Sequence, residues 1–158
     1  MRVALLTVSD SVSSATRQDL SGPALRERCE KLGWEVVSAL VVGDDQVRIE
    51  ARLIELAETR GMDLVLTTGG TGVGPRDVTP EATAAVCARL VPGLGEQMRD
   101  AGRRSNPRAA LSRSTAGVRG TTLIVNLPGS PRACVESLDA IAALLPHAVD
   151  VIRGAGHD

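Results

Sequence analysis

The chain has 158 residues, 43% of them hydrophobic and 23% charged, with 18 Lys and Arg against 19 Asp and Glu. This is the composition of one globular domain with a sizeable core, expected to span residues 1–158, and it excludes a disordered chain and a disulfide scaffold. A net charge of −1, with Trp34 as the sole aromatic residue, leaves neither the positive field nor the stacking platforms of a nucleic-acid binder.

The first segment, Arg2–Thr7, is a β-rich apolar run closed by the turn and cap formers Ser9, Asp10 and Ser11. It turns polar too early for a signal peptide and lacks a small-residue cleavage pattern. After a polar stretch, Ser21 precedes a helix with Pro23 in its first turn, Leu25, Cys29 and Leu32 on one face, and Gly33 as its stop. Trp34–Val42 reads as a second strand. Asp44 or Asp45 then caps a helix carrying Ile49, Leu53 and Leu56 at helical spacing as far as Gly61. Leu64–Thr68 is close to continuously apolar, as a strand covered on both faces is.

Beyond a glycine-rich loop, Thr79 is expected to cap a helix that begins at Pro80. A further helical stretch covers Gly93–Arg104, followed by a break at Ser105-Asn106-Pro107 and a mixed segment to Gly120. Thr121–Leu127 is the fourth clear strand. Ser130 caps a helix opening at Pro131, with Cys134, Leu138, Ile141 and Leu145 as its apolar stripe. A last helical stretch runs from Pro146 towards Arg153, and Gly154–Asp158 is a loose end. No apolar run reaches the ~20 residues of a membrane helix. Cys29, Cys87 and Cys134 are odd in number and lack metal or disulfide spacing, so they read as small buried apolar residues of a cytoplasmic protein.

Strands alternate with helices along nearly the whole chain. That calls for a three-layer α/β sandwich, a mostly parallel central sheet with helices on both faces, whose ligands bind beyond the strand C-termini. Four glycines, at 69, 70, 72 and 74, follow the third strand and lead into a helix N-terminus. Such a loop brings backbone N–H groups close to a ligand, and the helix dipole favours an anion there. The fourth strand ends in Leu127-Pro128-Gly129-Ser130-Pro131, a second glycine-bearing turn into a helix. Asp10, Asp44, Asp45 and Asp77 also fall at strand ends; carboxylates beside phosphates require a cation, and hard oxygen ligands select Mg²⁺. The alternative for Asp77 is a turn cap or a pair with Arg76. Residues 99–119 hold six arginines, a run that fits a solvated face or subunit contact, or bidentate phosphate donors. No Ser-His-Asp arrangement is visible.

Together these residues resemble a known family. Thr67-Thr68-Gly69-Gly70-Thr71-Gly72, Pro75-Arg76-Asp77-Val78-Thr79-Pro80-Glu81-Ala82 and Leu127-Pro128-Gly129-Ser130-Pro131 are similar to motifs of the MogA/MoaB family of molybdenum cofactor biosynthesis, related to the G domains of gephyrin. Val8-Ser9-Asp10, Pro92–Arg99 and Leu111-Ser112-Arg113 also match, so the resemblance spans about residues 2–150. It implies adenylylation of molybdopterin by Mg-ATP, releasing pyrophosphate, in a homotrimer or a hexamer of stacked trimers, with a molybdenum-insertion protein as the downstream partner. By the same resemblance Asp44 and Asp77 are the catalytic and Mg²⁺-holding residues. Ser9, Asp10, Thr68, Gly69, Gly70, Thr71, Gly72, Thr79, Asn126, Pro128, Gly129 and Ser130 would bind nucleotide or pterin. Gly43 stands before Asp44 where many members carry proline, which leaves open whether Asp44 or Asp45 faces the site. The chain is also short after Ser130, as in the compact MoaB-like branch, so a binding oligomer without turnover is the alternative.

Overall fold

A computed structural model describes residues 1–156. Six strands form one sheet: β1 (Arg2–Val8), β2 (Glu35–Val42), β3 (Leu64–Thr68), β4 (Arg89–Leu90), β5 (Ala116–Arg119) and β6 (Thr122–Leu127), in the order β2-β1-β3-β6-β5-β4. The first four in that order run parallel, and β5 and β4 extend the β6 edge in antiparallel steps. The expected mostly parallel sheet is therefore present, and the mixed segment before Gly120 contributes a strand of its own. Gly120, at φ 55°, turns β5 into β6.

The helices are α1 (Asp10–Ser13), α2 (Ser21–Lys31), α3 (Gln46–Ile54, continued by a π-helical turn over Glu55–Thr59), α4 (Thr79–Val86), α5 (Pro92–Arg103), α6 (Pro131–Ile141) and α7 (Leu145–Ile152). The period-2 alternation of the strands divides the core between the two faces. Val3, Leu5, Leu64, Leu66, Leu123 and Val125 face α2, α5, α6 and α7, where they meet Leu25, Cys29, Trp34, Met98, Cys134 and Leu138. Ala4, Leu6, Val65 and Ile124 face α3 and α4, meeting Ile49, Leu53, Leu56, Ala82 and Val86. These two clusters are the two interfaces of a helix–sheet–helix sandwich. Among the described residues no helix is long and apolar enough to cross a membrane. The expected loose end keeps no regular structure from Ala155 to residue 156, and His157 and Asp158 lie outside the described residues.

Two helix starts differ from expectation. Ser21 lies inside α2, whose opening turn is satisfied by Asp19: its Oδ1 accepts from the Gly22 N–H at 2.9 Å and from the Ser21 hydroxyl at 3.3 Å. Thr79 is the first residue of α4, not its cap, because its hydroxyl is turned down onto the Gly69 carbonyl at 2.9 Å.

Candidate active site

The parallel strands β1, β2, β3 and β6 deliver their C-termini to one edge. There β3 and β6 run in register to the pairs Thr67–Asn126 and Thr68–Leu127, so the two glycine motifs that follow must abut. The Gly69 N–H donates to the Leu127 carbonyl (3.1 Å) and the Thr68 hydroxyl to the Pro128 carbonyl (2.7 Å). Gly69 (φ 102°) and Gly70 (φ 66°) occupy conformations that side chains resist, and a Cβ on Gly69 would stand 2.2 Å from the Val8 carbonyl oxygen. The loop returns through Thr79, whose N–H donates to the Gly70 carbonyl at 3.1 Å.

A cleft of about 720 Å³ opens over this edge. One wall is the glycine loop, with Gly70, Thr71, Gly72 and Asp77; another is Pro128, Gly129 and Ser130 at the start of α6. The third is α5 and the 3-10 turn Pro107–Leu111, which contribute Met98, Arg99, Arg108 and Leu111. Ser130 caps α6, accepting from the Ala133 N–H at 3.1 Å. The guanidinium of Arg108 has no hydrogen bond or ion pair with the described residues, so its charge is free to meet an anion.

Asp44 and Asp45 have separated roles. Asp45 caps α3, its Oδ1 accepting from the Arg48 N–H at 2.9 Å. Asp44 turns towards the loops: its Oδ2 accepts from the Asp10 N–H at 2.8 Å, while its own N–H donates to Asp10 Oδ1 at 2.9 Å. A Cβ on Gly70 would lie 3.3 Å from Asp44 Oδ1, which places that oxygen against the glycine loop. Burial pushes the Asp44 carboxyl above the ordinary aspartate value, and the charges of Asp10 and Asp77 add to the rise. Arg76 pairs with Asp10 across the loops (2.8 Å), not with Asp77. Asp77 closes its own turn, Oδ2 accepting from the Gly74 N–H at 2.9 Å. Each of Asp44 and Asp77 thus keeps one oxygen, Oδ1, without a donor among the described residues.

Asp10 lies to the side, lining a second cleft of about 610 Å³ with Gly43, Arg48 and Arg76, and Ser9 reaches neither cleft wall. Ser9 caps α1 through its hydroxyl, which accepts from the Val12 N–H at 3.3 Å.

A model of the probable molybdopterin binding domain matches residues 4–147. The chain belongs to this family. A molybdopterin adenylyltransferase of Helicobacter pylori strain J99 is 41% identical over 159 residues, covering 98% of this chain and 89% of its own length. The Escherichia coli K12 molybdopterin adenylyltransferase is 43% identical over 150 residues, covering 89% and 73%. A crystal structure of the molybdopterin biosynthesis enzyme MoaB from Thermus thermophilus superposes with a TM-score of 0.92 at 48% identity over 99% of both chains.

Within this molybdopterin-binding fold, not every expected site residue reaches the cleft wall. Thr68, Thr79 and Asn126 lie beneath it, at 1%, 0% and 0% exposure. Their side chains hold the edge together: Asn126 Nδ2 donates to Thr67 Oγ1 (3.1 Å) and Thr83 Oγ1 (2.8 Å), tying β6 to β3 and α4. For Thr68 and Asn126 the reason is register, since side chains at the last positions of central strands still point into a helix layer; Thr79 opens α4 with its hydroxyl turned onto the Gly69 carbonyl. Conversely, Met98 and Arg99 of the α5 wall are marked in sequence only by the family match over Pro92–Arg99 and not as site residues, because they reach the cleft only through the packing of α5 on α6. The six-arginine run also resolves into separate tasks. Arg99 donates to the Ser112 and Ser114 carbonyls, Arg103 pairs with Asp100, Arg119 binds the Val86 carbonyl and Glu58, and Arg108 lines the cleft. Arg113 grips the glycine loop, and only the family match at Leu111-Ser112-Arg113 signals it in sequence.

Proposed function

We infer that this protein is a molybdopterin adenylyltransferase, acting in molybdenum cofactor biosynthesis. The observation that carries the reading is near-full-length identity of about two in five residues to proteins of that activity, and the edge geometry supports it. A terminal phosphate oxygen of molybdopterin attacks the α-phosphorus of ATP; the bond from that phosphorus to the β-phosphate bridging oxygen breaks, and pyrophosphate leaves. The attacking oxygen is already anionic, so the site needs alignment and charge neutralisation and no strong base. That agrees with a cleft edge built from backbone N–H groups, glycines, carboxylates and arginine.

Mg²⁺ fits the donor set. Asp44 and Asp77 each present an oxygen free of donors among the described residues, and burial, with the charges of Asp10 and Asp77 added, raises the Asp44 carboxyl. No group of three or more His, Cys, Asp or Glu among the described residues is placed to hold a metal, so the remaining ligands would be substrate phosphates and water. When bound, Mg²⁺ supplies charge neutralisation on the reacting phosphates. The chain's own part is to hold the two carboxylates, present the N–H groups of residues 70–72 and keep Arg108 available. The pterin ring meets apolar and backbone surface, Met98, Ala109 and Leu111, because the one aromatic residue, Trp34, is buried in the core. The working unit is one domain assembled as a homotrimer or hexamer in the cytoplasm, its product passing to a metal-insertion protein.

The test is pyrophosphate release from Mg-ATP with and without molybdopterin, beside Asp77→Asn. An amide oxygen still accepts from the Gly74 N–H, so the variant keeps the turn, while release falls by about 100-fold or more. Pterin binding without release in the unmodified protein would make this a binding oligomer.

A further inference from the structure

The segment 112–114, between the Pro107–Leu111 turn and β5, is gripped from two sides. From α5, Arg99 Nη1 donates to the carbonyls of Ser112 (3.2 Å) and Ser114 (2.8 Å). Helix and segment approach so closely that a Cβ on Gly95 would lie 2.3 Å from the Ser114 carbonyl oxygen. With the two flanking carbonyls held on the α5 side, residue 113 reaches the opposite way. The Arg113 N–H donates to the Thr71 carbonyl (2.8 Å), its Nε to the Gly72 carbonyl (2.7 Å) and its Nη2 to the Asp77 carbonyl (2.7 Å). Its Nη1 meets the Glu81 carboxylate in the first turn of α4. One planar group therefore spans both ends of the segment 72–77.

We propose that Arg113 is a positioning residue for adenylyl transfer, holding the segment 72–77, and with it the Asp77 carboxylate, in its working shape. This rests on the adenylyltransferase reading of the cleft. A loop with glycines at 69, 70, 72 and 74 has little intrinsic preference for one shape, since each glycine adds backbone freedom. The carboxylate rides on that shape: a Cβ on Gly72 or Gly74 would stand 2.8 or 2.9 Å from Asp77 Oδ2, so a shift of the loop is a shift of the carboxylate. Arg113 is not a phosphate ligand. Of the five N–H donors on a guanidinium, it commits Nε, Nη1 and Nη2 to protein acceptors, and Glu81 balances its charge. The Glu81 carboxyl is correspondingly held below its ordinary range by that hydrogen bond. Lysine cannot replace the span, because a compact ammonium reaches one carbonyl while a planar fork reaches two. Through Arg99 and Arg113 the α5 wall and the glycine wall are fixed to one another.

Arg113→Gln and Arg113→Lys test this with two readouts on the full chain: pterin-dependent pyrophosphate release, and amide hydrogen exchange resolved along the sequence. In Arg113→Gln, kcat falls by about 30- to 100-fold with the KM for ATP within about threefold, as a misplacement near 1 Å produces. Amides of residues 72–77 exchange about tenfold faster, and those of β1, β3 and β6 are unchanged. Arg113→Lys retains the charge and one carbonyl contact and falls between. The proposal is overturned by Arg113→Gln turning over within twofold of the unmodified protein, by unchanged exchange in 72–77, or by exchange accelerated equally throughout the sheet. An unmodified protein that releases no pyrophosphate defeats the adenylyltransferase reading, and the exchange arm still decides whether Arg113 holds the loop. Should Arg113→Gln fail to fold, Arg113→Lys carries both readouts.

Discussion

Gly69 is the position at which the site tolerates a side chain least, and a graded set of Gly→Ala substitutions separates the reasons. Gly93 has ordinary backbone angles, sits in the first turn of α5 and would place its Cβ in open space. There alanine reduces the freedom of the unfolded chain and stabilises by about 0.4–1 kcal/mol. Gly33, at φ 77° with nothing within 4 Å of a Cβ, adds only conformational strain. A left-handed alanine costs about 1–2 kcal/mol, offset in part by the same entropy gain. Gly69 combines φ 102° with a Cβ 2.2 Å from the Val8 carbonyl oxygen, a backbone atom that cannot rotate away. Overpacking of that kind adds about 1–3 kcal/mol, for a total near 2–5 kcal/mol. At roughly 2–4 °C per kcal/mol for a chain of this size, Gly69→Ala lowers Tm by about 4–20 °C, Gly33→Ala by a few degrees, and Gly93→Ala not at all. Thermal unfolding followed by circular dichroism reads all three. Pyrophosphate release is measured on protein still folded at the assay temperature, where Gly69→Ala loses turnover because Gly69 cannot keep its contact with Leu127 when β1 is pushed aside. A Gly69→Ala protein with the Tm of Gly33→Ala and normal turnover would refute the argument that Val8 packs directly on the loop.

The two neighbouring aspartates should separate cleanly. A carboxyl raised in the folded state contributes stability that is present at acid pH and lost as pH rises through its folded-state value. Burial raises Asp44 above its ordinary 3.8. Asp44→Asn, whose amide oxygen still accepts from the Asp10 N–H, removes that loss. Its Tm exceeds that of the unmodified protein at neutral pH, the difference closes towards pH 4, and pyrophosphate release disappears; a lower Tm at pH 7 would contradict the burial argument. Asp45→Ala removes the cap of α3 at a cost of about 1 kcal/mol, visible as a Tm lower by a few degrees. Turnover per folded molecule is unchanged, and a hundredfold loss would move Asp45 into the reaction.

Most of the site's frame was legible in the sequence because it is made of local signals. Strands β1, β3 and β6 are short apolar runs ended by glycine or polar residues, and once they are parallel their C-termini share an edge without further information. Position in the turn settles what spacing alone left open between Asp44 and Asp45. The residue directly before a helix takes the cap, and that is Asp45 before Gln46; the residue ahead of it is released towards the loops. Gly43 fits the same picture, since a Cβ there would come within 3.0 Å of Asp10 Oδ1, the oxygen that accepts from the Asp44 N–H.

What sequence did not reveal is carried by contacts over long separations. Asn126 looked like a ligand residue because it stands beside the Leu127-Pro128-Gly129 turn, but pleat parity sends its side chain into the α4 layer, 43 residues from Thr83 in sequence. Its Oδ1 is buried without a partner among the described residues, so the amide is held by its nitrogen alone between two threonine hydroxyls. A buried amide held this way costs stability, and a leucine of similar volume would fill the space without the unpaired oxygen. The polar residue nevertheless ties the end of β6 to both β3 and α4, directly beneath the place where the two glycine loops meet. The family match at Leu111-Ser112-Arg113 marks Arg113, but its role was hidden for the converse reason. In sequence it is one arginine of a basic run, and its role depends on α5 turning the carbonyls on either side of it away from the loop it grips. Both cases place the control of the glycine loop in its supports: the loop presents the N–H groups, Thr79 below and Arg113 beside it hold its carbonyls, and Asn126 ties together the strand end and helix on which it stands.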